Sequence, residues 1–153
     1  MKELSKEQEI QLNDLVDRLS KAGAKKPLQW ARSEVREGIP QFGRFLVLKR
    51  LFEIIKSPEE NIELASDYDD EIRDKFEEVS KAIGKQKLID FLTSFSKGLV
   101  SSFIELLDEG NENANEDKVN WVLLKTDEKG EHTEQIIQGL HEDFFEFEDE
   151  IAE

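Results

Sequence analysis

The residues best suited to chemistry lie near the C-terminal end, where His141, Glu142 and Asp143 are consecutive. An imidazole beside carboxylates offers the ligand types that divalent metals bind. Further carboxylates would have to come from other segments, such as Glu105, Asp108 or Glu109. Consecutive residues on a helix point about 100° apart, and so acidic a chain produces such neighbourhoods by chance. We therefore expect no metal site, and we favour a structural hydrogen bond or simple exposure for His141.

A second group places an aromatic ring among guanidinium groups around the Gly38-Ile39-Pro40 turn. Its members are Trp30, Arg32, Arg36 and Arg44. Arginine binds carboxylates bidentately and stacks on tryptophan, so the group is a candidate anion-binding site. The same side chains would equally receive the acidic C-terminal segment of the chain itself, and we favour this intramolecular role. The other tryptophan, Trp121, is expected in the core of a hairpin.

Charge is distributed unevenly along the 153 residues, whose formal net charge is -15. Residues 105–153 carry 3 basic and 17 acidic side chains, whereas residues 1–56 carry 12 and 8. Concentrated charge steers association with oppositely charged proteins, so we expect a basic protein partner, as for an immunity protein, an antitoxin or a regulatory adaptor. A merely solubilising acidic face is the alternative. The expected partner-binding residues are Glu142, Asp143, Glu146, Glu148, Asp149 and Glu150.

The composition disfavours several other classes of function. The chain has no Cys, and it contains no phosphate-binding glycine loop, nucleophile elbow or paired-His zinc helix, so we expect no catalytic residue and no cofactor. The acidic excess argues against nucleic acid, and the absence of a long apolar run or leader argues for a cytoplasmic protein without membrane contact. The alternative is a small enzyme or ligand-binding domain with a metal or anion site near His141 and Arg44. The oligomeric state does not follow from the sequence.

Helical patterns dominate the first 110 residues and must position these groups. Ser5 predicts the N-cap of a first helix that ends before Gly23, and Pro27 predicts the first turn of a second helix. Residues 41–56 are apolar around most of a helical circumference, which predicts a buried helix, although a strand over residues 45–48 fits as well. Ser57-Pro58 then predicts a short helix, and Asp69 or Asp70 predicts the cap of another that ends before Gly84.

The segment 85–109 has the widest apolar arc in the chain, with its polar residues confined to a narrow strip. A helix that is apolar over more than half of its circumference is typical of a core element, so we expect it at the centre of the domain. Gly98 and Ser102 lie one turn apart at the edge of that arc. Because glycine costs a helix about 1 kcal/mol relative to alanine, Gly98 indicates close approach of another backbone.

The C-terminal third changes to a β pattern. A polar loop follows Gly110, and residues 119–137 predict a hairpin whose turn contains Gly130. The returning strand should direct Thr133, Gln135 and Ile137 to one face, since side chains alternate along a strand. We thus predict a mainly α (α+β) protein: one compact helical domain over residues 1–147, with the hairpin packed on the central helix. Residues 148–153 should form a frayed acidic tail.

Overall fold

The computed structural model describes residues 4–152 and confirms a mainly α protein with one antiparallel hairpin packed against helices. Residues 41–55 form a helix, which decides against the strand alternative there. In chain order the elements are α1 (Lys6–Lys21), α2 (Pro27–Glu37), α3 (Gln41–Ile55), α4 (Pro58–Ala65), α5 (Ile72–Ile83), α6 (Lys85–Glu109), α7 (Ala114–Asp117), β1 (Leu123–Thr126), β2 (His132–Ile137), α8 (Leu140–Phe144) and α9 (Phe147–Glu150).

The ends of the long helices follow local side-chain chemistry. Ser5 caps α1, with its hydroxyl accepting from the backbone N–H of Gln8 while the Gln8 side chain accepts from the backbone N–H of Ser5. Pro27 occupies the first turn of α2, and Gly38 ends it in the left-handed conformation at φ 73°. Gly38 therefore sets the direction of the chain between α2 and α3, where Trp30 and the arginines are predicted to lie close together.

Contacts group the described chain into two compact units, residues 4–49 with 104–152 and residues 50–103. The core of the first unit is aromatic: Phe45 and Phe147 are fully buried, and Trp30 packs edge-on against both rings at 5.5 and 6.3 Å between centroids. The core of the second unit includes Phe52 and Ile55. The prediction of a single domain over residues 1–147 stays a prediction.

The hairpin is shorter than predicted but has the predicted faces. Strand pairing begins at Leu123 and not at residue 119, and Leu123 lies opposite Ile137. Thr133, Gln135 and Ile137 point inward. Ile137 is 7% exposed and lies against Gly43 of α3, where an added Cβ would come within 3.1 Å of its side chain. Strand β2 therefore packs on α3, and Trp121 of the predicted hairpin segment bonds the helix over residues 85–109 at the Leu106 carbonyl.

Helix α6 has the predicted bounds, but the prediction that it runs through the core is wrong for its middle turns. In the second unit, Phe91, Phe95 and Leu99 are 61–63% exposed, and only Leu88 of that part of the helix is buried. A wide apolar arc indicates that a helix face is more stable when it packs against other side chains. It does not indicate whether those side chains belong to the same chain. The middle of α6 presents an apolar face to the outside.

The fraying expected for residues 148–153 stays a prediction, but the described part of that segment makes backbone contacts with an earlier loop. The backbone N–H of Lys25 donates to Glu150 at 2.9 Å, and that of Ala152 donates to Gly23 at 2.8 Å. Ala24 and Ile151 form an antiparallel bridge between these bonds. The segment is thus joined to the loop between α1 and α2, while Glu153 lies outside the described residues.

Candidate functional site

Arg44 of α3 is the buried centre of the site, with a side chain that is 5% exposed. Its Nη2 atom donates to the carbonyl of Gly139, to Asp143 Oδ2 at 2.6 Å and to Glu142 Oε2 at 3.4 Å. A buried guanidinium requires such partners because an unpaired charge is costly to remove from water. Of the two roles considered for the arginines, Arg44 has the intramolecular one.

Gly139 is the residue that allows the chain to reach Arg44. It lies between β2 and α8 at φ 71°, a left-handed conformation that favours glycine. A Cβ at this position would also lie 3.2 Å from Glu142 Oε2 and 3.4 Å from Arg44 Nη2. Any other residue would therefore strain the backbone, and its side chain would crowd both Glu142 and Arg44. Gly139 thus determines where α8 places its carboxylates.

A small pocket of about 200 Å³ lies beside this ion pair in the first unit. We call it the acidic pocket; its walls are Gln29, Trp30, Ser33, Gln41, Asp143, Glu146 and Glu150. Its volume is below the roughly 300–1,000 Å³ of sites for drug-sized ligands. The acidic pocket is therefore suited to a single side chain or a small ion.

Gln41 supplies a polar group in the wall that lacks a hydrogen-bond partner. The residue is 8% exposed, and its Nε2 atom donates to Ser33 Oγ at 2.8 Å. Its Oε1 atom is buried and accepts no hydrogen bond from any residue between 4 and 152. Buried polar atoms are nearly always satisfied, so this carbonyl oxygen is an exception on a residue that lines the pocket.

The electrostatics of the acidic pocket are dominated by carboxylates. Burial raises the pKa of Asp143, and Glu142, Glu150 and Glu146 raise it further, while Arg44 opposes them. The pKa of Lys26 is also raised, mainly by its hydrogen bond to Glu150. Three of the seven lining residues carry carboxylates, and none of the seven is basic. The pocket thus favours a cation.

The acidic C-terminal surface, meaning the six carboxylates predicted to bind a partner, is partly used by the chain itself. Asp143 bonds Arg44, and Glu150 bonds Lys26 at 2.5 Å. Glu146 and Asp149 are exposed, and within residues 4–152 neither has a hydrogen bond or ion pair through its side chain. The remaining members are Glu142, which is 66% exposed at its side chain, and the half-buried Glu148.

His141 has the structural hydrogen bond that the sequence analysis favoured. Its Nδ1 atom and its backbone N–H both lie within 2.9 Å of Asp108 Oδ2, and the Asp108 side chain is only 3% exposed. His141, Asp108, Arg44 and Glu142 also line an open groove of about 580 Å³. Within the described residues, no group of three or more acidic or histidine side chains is placed to hold a metal ion.

The four residues of the predicted anion site do not share one pocket. Trp30 is 8% exposed and belongs mainly to the aromatic core, and it also lines the acidic pocket. Arg32 and Arg36 line a different groove on α2, together with Lys25 and Lys26. Arg44 has the intramolecular role that the pattern suggested.

Sequence reasoning missed the buried carboxylate of Glu34, which is 6% exposed. It accepts from the backbone N–H of Phe42 at 2.7 Å and lies 3.7 Å from Lys125 Nζ, so it holds α2, α3 and β1 together. A detectable signal was its position on the same face of α2 as Trp30 and Ala31. A carboxylate within an apolar stripe indicates a buried partner.

No helix within residues 4–152 is both long enough and apolar enough to cross a membrane. Comparison with protein-family models, with curated proteins and with solved structures finds no match to this chain.

Proposed function

We propose that the chain is a non-enzymatic acidic binding module, of the immunity-protein, antitoxin or regulatory-adaptor kind, that binds a basic protein. The acidic C-terminal surface would be its binding site. The observation that carries the proposal is the excess of carboxylate around the acidic pocket. Arg44 and Lys26 each already bond a carboxylate, while Glu146 and Asp149 have no side-chain partner among the described residues.

The pocket favours a cationic side chain of the partner as the group that is recognised. A lysine or arginine side chain would find the Glu146 carboxylate and Trp30 at the wall. Cations form charge-assisted hydrogen bonds with carboxylates. Exposed carboxylates such as Asp149 would raise the rate of encounter, since charge complementarity acts mainly on association.

The composition supports the same class of partner. With 36 acidic against 21 basic side chains, the chain would repel nucleic acid and anionic lipid surfaces, so neither is proposed as a ligand. The absence of Cys fits a reducing compartment, and we propose a cytoplasmic location on this ground.

The test is binding of a fluorescent arginine-rich peptide to the full chain, measured by anisotropy over a range of salt concentrations. The variant Glu146→Gln/Asp149→Asn should bind at least about ten-fold more weakly at low salt and show a shallower salt dependence. The control Glu112→Gln/Glu116→Gln removes the same charge from exposed positions of the same unit, around α7. If both variants lost the same amount of binding affinity, net charge alone would explain the effect and the proposal would be contradicted.

A second candidate function, a small enzyme or ligand-binding domain near His141 and Arg44, is favoured by one observation. The buried Asp108 holds the half-exposed imidazole of His141 in an open groove, an arrangement that orients an acid–base group. The test is a thermal-shift screen with divalent metals and small anions. This function requires a stabilising compound whose effect disappears in His141→Ala, while peptide binding is unchanged.

A further inference from the structure

The exposed apolar stripe on α6 has no role in the proposed function. Phe91, Phe95 and Leu99 follow one another at intervals of four residues, so they lie on one face, and they are 63%, 61% and 62% exposed. The rings of Phe91 and Phe95 stack at 6.4 Å between centroids. We infer that this stripe, extended by Phe103, is the contact surface for a second copy of the chain, with the two α6 helices antiparallel.

Small residues interrupt the stripe where another backbone would cross it. Gly98 lies near the middle of α6, and a Cβ there would meet no atom within 4 Å. The Ser102 hydroxyl bonds the Gly98 carbonyl at 3.4 Å, so it is satisfied within its own helix. Glycine weakens an exposed helix, and nothing in the second unit requires it at this position. Close approach of a helix from outside the chain explains it.

The order of large and small residues is self-complementary when two copies run antiparallel. With a two-fold axis between Gly98 and Leu99, Leu99 of one copy lies opposite Gly98 of the other, and Phe95 lies opposite Ser102. Leu99, Phe95 and Phe103 then each enter the space above a small residue, as dense packing requires, and Phe91 packs against Leu106 near the end of the contact. A parallel pair would instead place each large residue against its own copy. The pattern therefore selects the antiparallel arrangement and a symmetric, isologous contact.

The exposed area is sufficient for the core of a modest dimer. An aromatic side chain buries roughly 150–250 Å² when fully covered, so the stripe and Phe103, at 49–63% exposure, offer on the order of 450 Å² per copy. A standard interface buries about 800 Å² per partner, of which the rim supplies the remainder. The net charge of -15 opposes self-association, and added salt screens this repulsion.

Sedimentation equilibrium of the full chain tests the inference. The wild type should pass from monomer to dimer in the micromolar range and dimerise more tightly as salt is added, which is the opposite of the salt effect expected for a basic partner. Gly98→Ala should raise the dissociation constant at least about ten-fold while leaving the monomer folded, because its methyl group has open space in the monomer. Thr93→Ala is the control, because Thr93 lies about 160° from Phe95 around α6 and outside the proposed contact. A wild type that stays monomeric, or a Gly98→Ala dimer of unchanged affinity, would overturn the inference.

Cross-linking tests the direction of the helices, since the chain has no Cys of its own. Leu99→Cys lies next to the axis and should form a disulfide-linked dimer under mild oxidation. Phe95→Cys and Ser102→Cys should each fail alone but cross-link when mixed, because a residue 3.5 positions from the two-fold axis is displaced by about 10 Å along the helix from its own copy. Self-cross-linking of Phe95→Cys without the mixed product would contradict the antiparallel pair.

Discussion

Arg44 shows how one buried charge organises the first unit. Its guanidinium is almost completely removed from water, and its Nη2 atom contacts the Gly139 carbonyl and Asp143, residues almost one hundred positions away. Pairing recovers the free energy lost on burial only while both partners are present. The ion pair therefore determines where α8 lies, and with it the acids of the candidate site.

Replacing Arg44 by glutamine should lower the free energy of unfolding by about 2–3 kcal/mol, because it leaves Asp143 beside other carboxylates without its cation. Urea denaturation measures this loss. The control is Arg50→Gln, which removes an exposed ion pair to Glu53 and should cost less than about 0.5 kcal/mol. Similar small losses in both variants would mean that the Arg44 pair does not hold α8 in place.

The raised pKa of Asp143 predicts a pH dependence of definite sign. The folded chain keeps this proton to higher pH than the unfolded chain, whose carboxyl titrates near 3.8. The resulting stabilisation is complete below that value and is lost as the pH rises through the higher folded pKa. Since asparagine does not titrate, the free energy of unfolding of Asp143→Asn minus that of the wild type should increase with pH across this window, as measured by urea unfolding.

Asp69→Asn is the control with the opposite sign. The backbone N–H of Glu71 and the Lys75 ammonium lower the pKa of Asp69, so its contribution is present above 3.8 and is lost as the pH falls through the lower folded pKa. Its difference from the wild type should therefore decrease with rising pH. A slope of the same sign for both variants would contradict the assigned environments.

At the scale of elements, the helices could be predicted because their ends depend on neighbours in sequence. Ser5 and Pro27 act within one turn of their own positions, and both predictions are confirmed. Residues 119–122 were predicted to belong to the first strand but do not pair, and the reason is equally local. The Asn120 side chain accepts from the backbone N–H groups of Asn111 and Trp121, and such bonds compete with strand pairing.

Burial could not be predicted for α6 and Trp121 because it depends on which element provides the cover. Trp121 is 40% exposed, not in a hairpin core, and its indole N–H donates to the Leu106 carbonyl at 2.9 Å. The width of the apolar arc measures how much of a helix surface is more stable when it is buried. It contains no information on whether α3, the hairpin or another molecule buries that surface.

Two adjacent isoleucines test the register of the hairpin. Ile137 is buried against α3, whereas Ile136 points to the other face and is 39% exposed. Ile137→Ala should lower the free energy of unfolding by about 2–4 kcal/mol, and Ile136→Ala by less than about 1 kcal/mol. Urea denaturation of both variants is the measurement. A reversed order would mean that β2 is shifted by one residue, because such a shift exchanges the two faces.

On the scale of the whole molecule, the arginines around the Gly38-Ile39-Pro40 turn were predicted to receive the acidic C-terminal segment, and Arg44 does bond Asp143. The sequence named no particular pair and did not indicate the acidic pocket, since Gln41 and Glu146 come together only through the fold. Their juxtaposition depends on the path of the chain over about one hundred residues. Composition alone therefore predicts a class of ligand, while the fold determines the place where that ligand would bind.

The contact between residues 150–152 and the loop at residues 23–25 provides the last test. A chain ending at Phe147 loses the backbone bonds of residues 150 and 152 to the loop at residues 23–25, and also the Lys26–Glu150 ion pair. It should lose about 1–3 kcal/mol of the free energy of unfolding in urea, since each bond contributes about 0.5–1.5 kcal/mol. The control Glu150→Gln removes only the ion pair and should lose less than about 1 kcal/mol. A truncated chain as stable as the wild type would show that this segment frays in solution, and that the carboxylates of α9 are not held at the acidic pocket.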